Sequence, residues 1–301
     1  MTDPSVVPSP AGGRPEDAGP NPWLERRVLG FAHQGGAREA PSSTLFAFRT
    51  AVDAGATALE MDVHATADGH LVVCHDSTVD RTTEGSGHIA DLSLAEVQSL
   101  DNAYWFVPGE VAMTDRPEGE YVYRGRAPDD PEFRIPTLRS VLEAFPGVFL
   151  NMDVKQTAPV VPAYEEALVR LLDEFGRADD VIVASFNDAS TATVAQLRPR
   201  LATSAGTADS AVFWQAFRSG SPLPPTRHRA LQIPTHFAST RVASAELIDA
   251  AHAAGLAVHF WTIDDPAEME ELIDLGADGV MTDRPAVLAP ILERRGLAYR
   301  L

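Results

Sequence analysis

His33 ends the apolar run VLGFAH (28–33), and His75 lies near the end of HLVVCHD (70–76). Between them LEMDV sets Glu60 and Asp62 two residues apart. Further on, LNMDVK sets Asp153 and Lys155 at the same spacing. Residues two apart on a strand leave the same face, so each pair points one way. Two inward carboxylates repel and raise each other's pKa unless a cation holds them. Three acids with no cysteine among them favour a hard cation, Mg²⁺ or Ca²⁺, over zinc. For any one acid, a buried carboxylate bonded to backbone amides is the simpler reading; for three that converge, the metal is preferred. Two imidazoles titrating near neutral pH beside such an ion suit hydrolysis of a phosphate ester. The metal and Lys155 would stabilise charge on the phosphoryl oxygens. One histidine would take a proton from the nucleophile and the other would protonate the leaving oxygen. Gly35 and Gly36, just after His33 and Gln34, would let the backbone pass close to a bound phosphate.

For these residues to meet, the chain must bring strand ends together. Strand-like runs occur at 28–33, 57–63, 148–154, 181–186, 201–206, 230–236, 256–263 and 278–283. Helical patterns lie between them, including STLFAFRTAVDAG, PAYEEALVRLLDEFG, SAELIDAAHAAG and PAEMEELIDLG, several ending in the glycine that stops a helix. Eight strands alternating with helices describe an α/β fold, a (β/α)8 TIM barrel, whose C-terminal strand ends converge on one mouth. The run 70–76 follows the second strand after only ATADG, too short for a helical crossover, so it forms a β-hairpin that returns His75 to the rim. Residues 101–136, rich in Pro, Gly, charge and aromatic side chains, read as an inserted segment after strand two, a rim insertion or lid. Residues 1–26 read as a disordered leader and 27–301 as the barrel domain.

Composition narrows the partners. Of 301 residues, 24 are Lys or Arg and 43 are Asp or Glu, a formal net charge of −19. That excess disfavours nucleic acid and anionic membrane surfaces, which call for a basic face. No run reaches spanning length, so stable membrane insertion is not expected. The lone Cys74 sits in an apolar run and reads as a buried, inert thiol. Since the N-terminus lacks both a basic start and an apolar core, a Sec signal is not expected and cytoplasmic location is the default.

The ordered series AHQGG, APSSTLFAF, LEMDVHATADGHLVVCHDSTVDRTTEGSG, IPTLRSVLEAFP, LNMDVK, VASFN, HFWTID and GADGVMTDRP resembles the glycerophosphodiester phosphodiesterases from about Leu29 to Leu288. The resemblance implies a TIM barrel with an insertion after strand two. It implies His33 and His75 as the general acid/base pair, and Glu60, Asp62 and Asp153 as ligands of a divalent metal. It further implies Lys155 as a phosphate contact and Trp261 as an aromatic beside the glycerol. The implied reaction cleaves a small-molecule glycerophosphodiester to glycerol 3-phosphate and an alcohol, with the glycerol 2-hydroxyl attacking first. Three positions depart from the family pattern. Gln34 stands where arginine usually helps bind phosphate. Pro41-Ser42-Ser43-Thr44 replaces Pro-Glu-Asn-Thr, with Arg38 and Glu39 nearby as candidates to supply the lost groups. Asp153 replaces a glutamate, one methylene shorter. Two alternatives stay open: the same chemistry on another substrate such as a lysophospholipid, for which Gln34 and the aromatic insertion speak, and a barrel that binds a phosphodiester without turning it over.

Overall fold

The computed structural model describes residues 20–25 and 28–298. In chain order the strands are β1 (Leu29–Ala32), β2 (Ala58–Ala65), β3 (Leu71–Val73), β4 (Phe149–Val154), β5 (Val181–Ala184), β6 (Ala202–Thr203), β7 (Ala230–Ile233), β8 (His236–Phe237), β9 (Thr240–Arg241), β10 (Ala257–Phe260) and β11 (Gly279–Thr282). The helices are α1 (Pro22–Glu25), α2 (Leu45–Asp53), α3 (Leu94–Gln98), α4 (Leu138–Ala144), α5 (Glu165–Glu174), α6 (Asp188–Leu197), α7 (Thr207–Ser219), α8 (Ala245–Ala253), α9 (Pro266–Leu275) and α10 (Pro285–Arg294). Among the described residues, eight parallel strands run β6-β5-β4-β2-β1-β11-β10-β7 around the molecule. A single parallel bridge, Ser204 to Ala230, spans the remaining seam between β6 and β7. The result is the expected (β/α)8 barrel, closed at every other joint by a regular ladder. No helix among the described residues is long and apolar enough to cross a membrane.

Side-chain parity explains both layers of the core. Along β2, Leu59, Met61 and Val63 face outward into an apolar layer shared with Leu150, Met152 and Val154 of β4. The alternate residue Ala58 joins Phe149, Phe31 and Met281 in the barrel's own interior. By the period of two, Glu60 and Asp62 must then face inward, as must Asn151 and Asp153. The β2–β4 register sets Glu60 against Asn151 and Asp62 against Asp153. The anticipated hairpin is present too: β3 pairs antiparallel with β2, with Val63 opposite Val73.

Two expectations need correction. Of the residues read as a leader, 1–19 lie outside the described ones, but Asn21 to Glu25 are built into the fold. Trp23 is 1% exposed and packs edge-on against Phe149, with ring centroids 5.7 Å apart. Asn21 Nδ2 donates to the carbonyls of Arg229 and Gly255. A large apolar ring is needed there because several inward residues at the barrel floor are alanines. The segment 101–136 is an insertion at the rim, but none of its residues lines the central cavity, so it is not a lid. Its aromatics serve each other instead. The Arg124 guanidinium lies over Tyr104, Trp105 and Tyr121 at 4.3, 4.6 and 3.5 Å, and Phe133 stacks on Phe46 of α2 at 4.7 Å. Asn102 Nδ2 holds the carbonyls of Ser42 and Ser43, bracing the loop after β1.

Candidate active site

At the C-terminal ends of the strands lies a cavity of about 510 Å³, lined in part by His33, Glu60, Asp62, His75, Asp153 and Lys155. All six were anticipated from sequence as site residues, and the barrel brings all six to one cavity. Trp261, joined to Thr262 by a cis peptide bond, lines it as well.

The two imidazoles meet edge to face, their centroids 6.4 Å apart. Each is gripped through Nδ1 by a carboxylate. His33 Nδ1 lies 2.7 Å from Asp283 Oδ1, and His75 Nδ1 lies 2.6 Å from Asp76 Oδ1. A neutral or charged ring donates from Nδ1 to such a carboxylate, leaving Nε2 for other partners. The two acids differ in their own support. Asp76 is held by His75 and then by Arg81, whose Nε is 2.7 Å from its second oxygen, and these keep its carboxyl well below the usual range despite partial burial. Asp283 is fixed instead through its backbone: its N–H donates to Asp264 Oδ1 at 2.9 Å. For His33, burial opposes the charge, but Glu60 and Asp283 outweigh it and lift the pKa to about 9.

The acids form a second cluster. Lys155 Nζ bridges Asp62 Oδ1 at 2.8 Å and Asp153 Oδ2 at 2.9 Å. Burial works against the ammonium, yet the two acids hold its pKa above the ordinary lysine value. Burial, and then the charge of Asp62, push Glu60 up to about 8. Asp62 Oδ2 and Asp153 Oδ1 are buried with no hydrogen-bond partner. Among the described residues, no three His, Cys, Asp or Glu side chains stand close enough to form a ready-made ion site; the lysine does the neutralising between Asp62 and Asp153. Even so, the donor chemistry suits a hard divalent ion: three carboxylates, two oxygens orphaned, and an acid whose charge is resisted for want of a counter-ion.

Gln34 takes up a different position from the one expected. It is 4% exposed and does not line the cavity. Its backbone is left-handed, at φ 51°, and its N–H donates to Glu60 Oε2 at 3.0 Å. Its Nε2 lies 3.2 Å from His33 Nε2, while its Oε1 has no partner. A charged His33 donates from Nε2, so a half-turn of the amide that presents Oε1 satisfies both groups. Arginine, having no acceptor, could not do this.

Gly35 and Gly36 are also explained differently. Both have positive φ, and an added Cβ would lie 2.8 Å from Ala47 or from Pro285. They are glycines so that the turn can pack against α2 and α10, not to clear room for phosphate. Arg38 and Glu39 face away from the acids: Arg38 Nε pairs with Asp264 at 3.0 Å, and Glu39 accepts from the Ala286 N–H. Asp283 stands in none of the spacings singled out in the sequence; its signal is topological, because the last strand of a closed barrel flanks the first, and Thr282 pairs with Ala32 just before His33.

Residues 33–287 match the Glycerophosphoryl diester phosphodiesterase family. A glycerophosphodiester phosphodiesterase of Caldanaerobacter subterraneus subsp. tengcongensis is 31% identical over 274 residues, covering 90% of this chain and all of that one. One from Bacillus subtilis is 29% identical, covering 86% and 84%. Among solved structures, the glycerophosphoryl diester phosphodiesterase domain of a Mycobacterium tuberculosis protein superposes with a TM-score of 0.71 at 21% identity, covering 89% of this chain and 99% of that one. An Oleispira antarctica phosphodiesterase in complex with sn-glycerol-3-phosphate does so at 0.63 and 22%, covering 89% and 97%. With the family matched from His33, at the end of the first strand, to Val287, in the last helix, the chain belongs to the glycerophosphoryl diester phosphodiesterase family.

Proposed function

We propose that the protein hydrolyses glycerophosphodiesters to glycerol 3-phosphate and an alcohol, using a divalent cation and two histidines. The observation that carries this reading is the pair of carboxylate-gripped imidazoles facing a wall of three acids and a lysine. Glu60, Asp62 and Asp153 would hold the cation, Mg²⁺ or Ca²⁺, which neutralises charge on the phosphoryl oxygens when bound. Lys155 spends two of its three N–H donors on Asp62 and Asp153, and the third is free for a phosphoryl oxygen. His33, with its raised pKa, enters the reaction carrying a proton on Nε2 and gives it to the departing alcohol oxygen. His75, oriented by Asp76, accepts the proton of the attacking hydroxyl through Nε2. Asp283 positions His33 by fixing Nδ1 as its inner, hydrogen-bearing nitrogen. A reducing, cytoplasmic setting suits the lone Cys74, a buried thiol whose burial pushes its pKa up to about 12.

The test is release of glycerol 3-phosphate from a panel of glycerophosphodiesters, with EDTA and then with added Mg²⁺ or Ca²⁺. Turnover that EDTA abolishes and a cation restores is expected, with loss of at least about 10²-fold in His33→Ala and in His75→Ala. Binding of the diesters without hydrolysis under any cation would support the non-catalytic barrel instead.

A further inference from the structure

Below the acids, the floor of the cavity is made of amides. Asn151 precedes Asp153 by two residues on β4 and so shares its inward face, one level deeper. Gln232 stands on β7, where Leu231 packs in the outer layer and Ala230 in the interior. Parity therefore turns Gln232 inward as well. β5 and β6 separate β4 from β7 in the sheet, yet Gln232 Nε2 donates to Asn151 Oδ1 at 2.7 Å, across the barrel. The same nitrogen lies 3.1 Å from Nδ1 of His259, which is fully buried. Both amides line the cavity, Asn151 only 3% exposed, while the interior around them is apolar, with Phe31, Phe149, Ile182 and Ala230.

Packing alone would be served here by leucine or methionine, since a buried amide costs free energy unless its groups are bonded. The contact between the two amides uses one carbonyl oxygen and one NH₂. It leaves the NH₂ of Asn151 and the carbonyl oxygen of Gln232 without a protein partner among the described residues. Turning both amides over exchanges their roles but not the sum: the pair still offers the cavity one donor group and one acceptor. A hydroxyl answers both, because it donates one hydrogen bond and accepts another. An ether or phosphoryl oxygen can only accept, and an ammonium can only donate.

We infer that Asn151 and Gln232 bind the terminal C1 hydroxyl of the substrate's glycerol and so select a glycerol that is unsubstituted there. This rests on the phosphodiesterase reading and deepens it by naming the residues that set its specificity. Asn151 lies about 7 Å along β4 from Asp153, a span that extended glycerol 3-phosphate matches from its phosphorus to that hydroxyl oxygen. Trp261, whose N–H donates to the Ile233 carbonyl beside Gln232, covers the carbons between. In-line displacement sets the attacking 2-hydroxyl and the departing oxygen on opposite sides of phosphorus. With the glycerol on the floor, the departing alcohol faces the open mouth, where Phe186 is 59% exposed.

The test compares choline release from glycerophosphocholine and from its 1-deoxy and 1-O-methyl analogues, both of which keep the attacking 2-hydroxyl. Leaving the buried amides unmet should lower kcat/KM at least about tenfold for the deoxy compound. The methyl ether, which accepts but cannot donate, should lose at least as much. Gln232→Met should bring the ratio of glycerophosphocholine to its deoxy analogue within about threefold; a deoxy defect that persists in the folded variant overturns the assignment. Should that variant fail to fold, the parent protein still carries the test through the analogues. Equal turnover of glycerophosphocholine and its deoxy analogue overturns this inference and leaves the phosphodiesterase reading standing. If no diester is turned over, that reading falls, and calorimetry with glycerol 3-phosphate and its 1-deoxy analogue decides the floor by itself. At least about tenfold tighter binding of glycerol 3-phosphate supports the hydroxyl site; equal binding, or none, overturns it.

Discussion

Asp283→Asn tests how His33 is held. The carboxylate meets Nδ1 at 2.7 Å, with 11% of its side chain exposed, so solvent screens the contact little. Hydrogen bonds to charged groups contribute about 1.5–3 kcal/mol. Asparagine preserves size and can still accept, but it brings no charge, and its NH₂ can also face Nδ1 and favour the opposite tautomer. A loss of about 2 kcal/mol in the transition state corresponds to about 30-fold in kcat. Because Asp283 does not line the cavity, KM should stay within about threefold. The backbone bond from the Asp283 N–H to Asp264 persists, so the fold should survive. The assay is steady-state kinetics on glycerophosphocholine, with ¹⁵N NMR of the imidazoles to read which nitrogen of His33 carries the inner proton. A variant with kcat within threefold of the parent and an unchanged His33 spectrum would refute the positioning role.

Other outcomes follow from the same geometry. His33 and Glu60 both bind a proton more tightly in the folded chain than in the unfolded one, with pKa values of about 9 and about 8. The stability they contribute is thus complete at low pH and drains away as pH rises through those values. The melting temperature of the cation-free protein should fall between pH 6 and 9, less steeply in Glu60→Gln, and added Ca²⁺ or Mg²⁺ should flatten the fall; a rise over that range contradicts the assignment. Trp23→Ala should cost about 3–5 kcal/mol in denaturant unfolding, since it empties the barrel floor. Arg124→Met should cost about 2 kcal/mol, because three rings lose their cation, while glycerophosphodiester turnover changes less than twofold. An activity loss without destabilisation would mean that the insertion reaches the site after all.

The barrel was legible because parity is a strict rule. Once Leu59, Met61 and Val63 are assigned to the outer layer, Glu60 and Asp62 have only the mouth to face. The hairpin at 70–76 could be read from the brevity of its link, and with it the place of His75. Asp283 was harder, because its partner lies 250 residues away and only barrel closure brings them together. Gly35 and Gly36 were misread because glycine signals a close approach without saying to what; here it is Ala47 and Pro285. The aromatic insertion read as a rim insertion or lid, yet its rings are consumed by Arg124 and Phe46. The amide floor had no signature at all. Asn151 and Gln232 stand 81 residues apart on strands that are not neighbours, and only the closed barrel sets their side chains together.

The most direct measurement is anomalous diffraction from crystals soaked with Mn²⁺ and glycerol 3-phosphate. One manganese peak is expected, bounded by Glu60, Asp62 and Asp153, with the phosphate between it and the rings of His33 and His75. A manganese bound elsewhere, or a phosphate seated away from both imidazoles in crystals of active enzyme, would contradict this placement.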